Sequence, residues 1–486
     1  MVLVVVYALF LCYAIARLFW RQSEAAADYI VLGRRLTLPA FVMTLVATWY
    51  GGILGVGEYA WRYGASNWLV FGLPYYLNAV VFALFLAARA RRSRALTIPD
   101  QLAARYGRPT ALAGAAMLFV MTAPAAYVLM LGSLVQMATG WPLALGVALG
   151  TFFSVAYVFR GGMRAIVGTD IVHFCLMFLA FLVMVPACAA KYGGWDFLRA
   201  NLPASHLTWD GGRGAQAVLV WYFIALATLV EPTFYLRCYA ARDERTARRG
   251  VLISILFWVL FDFLTTTAGL YARAVLPDLA DPVSAYPALA ARTLAPVWQG
   301  LFMVGLLATI ISTIDDYAFL SAVTLGRDII LRLRAPLGSL TRAADGDASP
   351  PPPGSGDAAA IPLIRWSLLA SSLLAIAMAL WSRSVISLWH HLGSIGTPVL
   401  LAPLALSHTS LRISGRVALG AMLLAGATSL AWLALGRGGP YLGVEAIFPG
   451  LAASLAIVGP AVWRERRAAG RAGARRGAAG AGRECA

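Results

Sequence analysis

Thr309, Ser312, Thr313 and Asp316 fall at i, i+3, i+4 and i+7, which places them on one face of a helix with Asp315 at its border. Hydroxyls, carboxylates and nearby backbone carbonyls are hard oxygen ligands, the donor set that suits a small hydrated cation. Serine and threonine can also bond back to their own helix carbonyls, which accounts for the hydroxyls but not for two acids in an apolar stretch. A carboxylate inside a membrane span costs at least ~2.5–3.5 kcal/mol and so marks an ion or substrate path. Thr169, Asp170 and His173 share a face of a second apolar stretch; Asp170 is the candidate there and His173 reads as a packing residue. Glu58 lies near a helix end, where it can snorkel, and Asp262, beside Thr265, Thr266 and Thr267, reads as a hydrogen-bonded structural acid.

The elements that must position these residues are membrane helices. The chain has 486 residues, 60% hydrophobic and 13% charged, with a mean hydropathy of +0.74. A soluble domain runs roughly 45–50% apolar and about 25% charged, so an ordinary soluble protein is excluded; a disordered chain would need low hydrophobicity. Thirteen apolar stretches are long enough to span, near 1–20, 38–61, 66–88, 111–138, 141–159, 165–190, 215–236, 250–272, 296–326, 364–382, 385–407, 415–436 and 445–463. Most arginines occupy alternate loops, including Arg34, Arg91, Arg164, Arg237, Arg327 and the tail after Arg464. This positive-inside bias puts the N-terminus outside and the C-terminus in the cytoplasm. The net charge of +17 is therefore topology rather than a nucleic-acid footprint. Five scattered cysteines without a CxxC pair read as small hydrophobes.

Two spans look interrupted. Ala47 to Gly57 contains four glycines, and Glu231-Pro232 breaks the stretch 215–236 near its cytoplasmic end. Counted from the second span, these are the first and sixth helices, at corresponding positions in two five-helix halves. Broken helices at such positions free backbone carbonyls for ions in inverted-repeat secondary transporters.

The residues resemble the sodium:solute symporter family, with its leucine-transporter-like fold. The likeness rests on Asp28 to Leu36, Ala47 to Gly57, Thr97-Ile98-Pro99-Asp100, Gly161 to Asp170, Glu231-Pro232 followed by Arg237, and Ser312-Thr313, in that order and spacing. It implies an all-α integral membrane protein of about thirteen helices: a 5+5 inverted-repeat core with one leading and two trailing helices. The parts are then 1–37 (leading helix and loop), 38–190 (first repeat), 191–214 (periplasmic loop), 215–407 (second repeat, with a Pro-rich cytoplasmic linker at 335–361), 408–463 (trailing helices) and 464–486 (a basic tail read as disordered).

The resemblance further implies alternating-access symport of a small organic solute, driven by Na+, with no enzymatic activity and no protein or nucleic-acid partner beyond the lipid bilayer. The main sodium site would use carbonyls of Ala47, Tyr50 and Thr309 with the hydroxyls of Ser312 and Thr313. Asp170 matches an acid that forms a second sodium site with hydroxyls in some members; here those positions are Asp315 and Asp316, so a second cation site and a proton site both stay open, as does H+ coupling. Trp49, Tyr50, Thr228 and Glu231 would line the solute cavity. Trp49 stands where a proline-transporting branch has an aspartate, and Ile224 and Thr228 stand where that branch has aromatic contacts, so proline is not implied. A membrane sensor on the same fold is a further alternative.

Overall fold

The computed structural model describes residues 25–334, 360–381 and 385–481. Within them the chain is helical, with only isolated bridges in place of strands. Helices satisfy every backbone N–H and C=O within the segment, which lipid requires. Nine helices among the described residues are long and apolar enough to span, ten with one pair bent by 58°. The expected first span at 1–20 and most of the linker at 335–361 lie outside the described residues.

Seven elements frame the interior. α1 (Leu38–Trp49) and α2 (Ile53–Tyr63) are the bent pair. α3 (Leu143–Tyr192) contains the expected spans 141–159 and 165–190, joined through a break at Gly162. α4 (Ala215–Ile224) passes through a 3-10 turn into α5 (Pro232–Ala240), which restarts after Glu231 in extended conformation. α6 (Glu244–Val275) and α7 (Pro296–Val323) complete the set, and α7 packs most extensively on α3. Both interruptions read from the sequence are therefore real breaks.

The motif Asp28 to Leu36 ties the two halves together at one end of the bundle. Tyr29 donates to the carbonyls of Val158 (3.2 Å) and Phe159 (3.1 Å), beside the break in α3. Gly162 has φ +54°, and a Cβ there would meet the Tyr29 carbonyl at 2.6 Å, so only glycine fits this turn. Arg164 pairs with Asp28 at 3.0 Å, while the Leu36 N–H donates to Ala240 at 3.0 Å, the last residue of α5.

Thr97 caps the helix Ile98–Tyr106, and Asp100 takes Arg327 (2.9 Å) and Arg332 (2.8 Å) from the far end of the chain's second half. Burial pushes the Asp100 carboxyl up, but the two guanidiniums hold it down at about 2, so it stays charged. The tail departs from its reading as disordered: the helix that starts at Ile447 continues to Ala481. Its alanines and arginines are among the strongest helix formers, and they outweigh the glycines between them.

Candidate functional site

The break after Trp49 leaves the last carbonyls of α1 without intrahelical partners. Ala47 lies in that last turn and Tyr50 caps it, with φ −96° and ψ 18°. The stretch of α7 carrying Thr309, Ser312 and Thr313 faces this end, and all five residues are buried. The Thr313 hydroxyl donates to the Thr48 carbonyl at 2.7 Å, joining α7 to the open end of α1. Thr309 donates its hydroxyl to the Gly305 carbonyl at 2.7 Å. Ser312 donates to Asp170 Oδ1 at 2.6 Å, linking α7 to α3. Thr313 and Ser312 thus tie α7 to the open end of α1 and to α3.

Gly51 makes that approach possible. A Cβ at this position would lie 2.3 Å from both Cβ and Oγ1 of Thr313. Gly51→Ala is expected to push α7 away from the end of α1 and to destabilise the protein. The thermal midpoint of the purified variant checks this; a midpoint equal to that of the parent chain would contradict it.

Next to this point sits a charge cluster that the charge pattern misplaces. Arg237 reads as a cytoplasmic loop charge, but its side chain is fully buried. It pairs with Asp316 and lies 3.5 Å from Asp170, both fully buried as well. Its Nη2 also donates to the hydroxyls of Thr44 (2.9 Å) and Thr48 (2.7 Å), which in turn bond Asp170 and Asp316. The reason is local: α5 restarts at Pro232 inside the bundle, with every residue from Pro232 to Ala240 buried. Two acids in an apolar interior are stabilised by a cation beside them, and Arg237 supplies it here. Asp315 is buried on the same helix. His173 stands 3.9 Å from Asp170 within the packed core, in keeping with its reading as a packing residue.

Trp49, Tyr50, Thr228 and Glu231 line one cavity of about 180 Å³ between the two broken helices. Glu231 caps α5, accepting from the Thr233 N–H at 3.4 Å and from the Tyr317 hydroxyl at 3.1 Å. Asp262, expected as a structural acid, does accept the Tyr76 hydroxyl, yet it also borders this cavity. Glu58 pairs with Arg62 at 3.0 Å away from the cavity, as its place near a helix end suggested.

A family model, the sodium:solute symporter family, matches residues 29–339, which hold both broken helices and the whole of α7. The chain belongs to the sodium:solute symporter family. Among curated relatives, the sodium/pantothenate symporter of Escherichia coli (strain K12) is 25% identical over 447 residues, covering 88% of each chain. The osmoregulated proline transporter OpuE of Bacillus subtilis (strain 168) is 26% identical, covering 90% of this chain and 89% of the relative. Among solved structures, a substrate-bound outward-open Na+-coupled sialic acid symporter aligns over 96% of this chain with a TM-score of 0.75 at 14% identity. The fold is therefore leucine-transporter-like, as the motif order implied. This symporter-family member is a multi-pass membrane transporter and not an enzyme.

Proposed function

We propose that this symporter-family chain imports a small organic solute across the cytoplasmic membrane by alternating access, with sodium moving down its gradient. The observation that carries the reading is the Thr313 hydroxyl seated 2.7 Å from the Thr48 carbonyl, at the open end of the first broken helix. An ion held by Ala47, Tyr50 and Thr309 carbonyls with the Ser312 and Thr313 hydroxyls would cement α1 to α7 and so fix the wall of the cavity. Trp49 and Tyr50 belong both to that helix end and to the cavity lining, so cation binding and solute binding act on the same segment.

Asp170, Asp315 and Asp316 are the residues expected to form a second cation or proton site. Arg237 brings a fixed positive charge to it, bonded to Asp316 and close to Asp170. The guanidinium does there what a mobile second cation would otherwise do, and this favours a single sodium per cycle over a proton relay. The alternate-loop arginines support an N-terminus outside and a C-terminus in the cytoplasm. Uptake into proteoliposomes under an imposed sodium gradient tests the proposal.

A further inference from the structure

We propose that the transported solute carries a positively charged amine or quaternary ammonium group, held by Glu231 within the aromatic walls of the central cavity. This rests on the transport reading above and names the substrate class of the same site.

The cavity brings together two carboxylates, Glu231 and Asp262, and the described residues that line it include no Lys, Arg or His. Every hydrogen bond made to Glu231 comes from a neutral donor: the Thr233 N–H and hydroxyl and the Tyr317 hydroxyl. A carboxylate facing a largely apolar space whose described lining holds no basic side chain favours a guest that brings a positive charge. An anionic solute would instead meet two acidic side chains there.

The walls fit the same guest. Trp49 stands edge-on to Tyr75, with ring centroids 5.5 Å apart, and Tyr127 packs on Tyr317 at 5.1 Å. Phe71 and Trp221 close a further side, their centroids 4.8 Å apart. Rings that present their faces to a desolvated cation attract it through their quadrupoles, and such cages recognise quaternary ammonium groups. The Thr228 hydroxyl borders the cavity, buried and without a hydrogen-bond partner, which leaves one polar contact for a hydroxyl or carbonyl on the guest. At about 180 Å³ the space is smaller than the roughly 300–1,000 Å³ of sites for drug-sized ligands, so the guest is small.

Trp221 also borders an outer cavity of about 670 Å³, lined by Glu58, Tyr59, Arg62, Arg213 and Glu445 among others. It is shared by the two linings. Both basic and acidic groups occur in the outer cavity, so selection by charge falls to the inner one.

The test compares choline with 3,3-dimethyl-1-butanol, which has the same shape with a neutral carbon in place of the ammonium nitrogen. Binding is read from the thermal midpoint of the purified full chain in sodium-containing buffer, with tetramethylammonium, ethanolamine and pantothenate as further probes. Choline or another of the cations is expected to bind at least tenfold more tightly than the neutral isostere, and Glu231→Gln to remove most of that advantage. Equal binding of choline and the isostere, preferential binding of pantothenate, or no saturable binding of any cation up to 10 mM would each overturn the proposal. The isostere comparison needs no variant, so a poorly folding Glu231→Gln does not affect it. Sodium alone, without solute, should still raise the midpoint; if it does while the cations fail, the substrate class is wrong and the sodium-coupled reading stands.

Discussion

Ser312→Ala combined with Thr313→Ala is expected to abolish the sodium-dependent stabilisation of the protein. A ligand that binds only the folded state adds RT ln(1 + [L]/Kd), about 2.7 kcal/mol at a hundredfold excess over Kd. Removing two of the five oxygen donors leaves carbonyls that cannot complete the shell, so the gain falls to near zero. The fold should survive, because a net hydrogen bond is worth about 0.5–1.5 kcal/mol and α7 remains buried along most of its length. Asp170 loses its Ser312 partner at 2.6 Å in this variant but keeps Thr44 and the nearby Arg237. The exchange Ser312→Thr with Thr313→Ser, which keeps both hydroxyls, should retain the sodium response. A thermal titration with NaCl against KCl checks both variants. Undiminished sodium stabilisation in the alanine pair would remove the proposed site.

Arg237→Met is expected to cost the most stability of any single change. Breaking a buried ion pair by removing one partner typically costs about 3–5 kcal/mol, because the other charge is left uncompensated in a low-dielectric interior. Here the loss strands both Asp316 and Asp170, each fully buried. The companion change Asp316→Asn, made on top of Arg237→Met, should recover a large part of the deficit, since one stranded charge is gone. Denaturation midpoints for the two single variants and the double variant form the cycle that checks this. If Arg237→Met were as stable as the parent chain, the cluster would not be the electrostatic tie described here.

The breaks and the oxygen-rich face of α7 were legible in the sequence, because each has a local signature. Four glycines mark one break, Glu231-Pro232 marks the other, and the hydroxyls repeat at helical spacing. What was not legible depends on where a chain goes after a break. Arg237 sits five residues beyond Pro232 in a segment shared with loop arginines, and only the burial of all of α5 puts it among the acids. Thr44 and Thr48 gave no signal of their own, as each is an ordinary threonine in an apolar helix until Arg237 and the carboxylates meet them. Asp262 was placed by its threonine neighbours, while its second aspect, toward the cavity, comes from helix packing alone. The helical tail was not legible for another reason: its glycines dilute the helix propensity of the alanines and arginines around them.

The central claim is that sodium, held between α1 and α7, drives solute entry. The most direct measurement is uptake of radiolabelled choline, proline and pantothenate into proteoliposomes with sodium and proton gradients imposed separately. Accumulation of one solute under an inward sodium gradient at equal pH, and its absence under a proton gradient with potassium on both sides, is the result this account requires. Accumulation driven by the proton gradient alone, with no response to sodium, would contradict it.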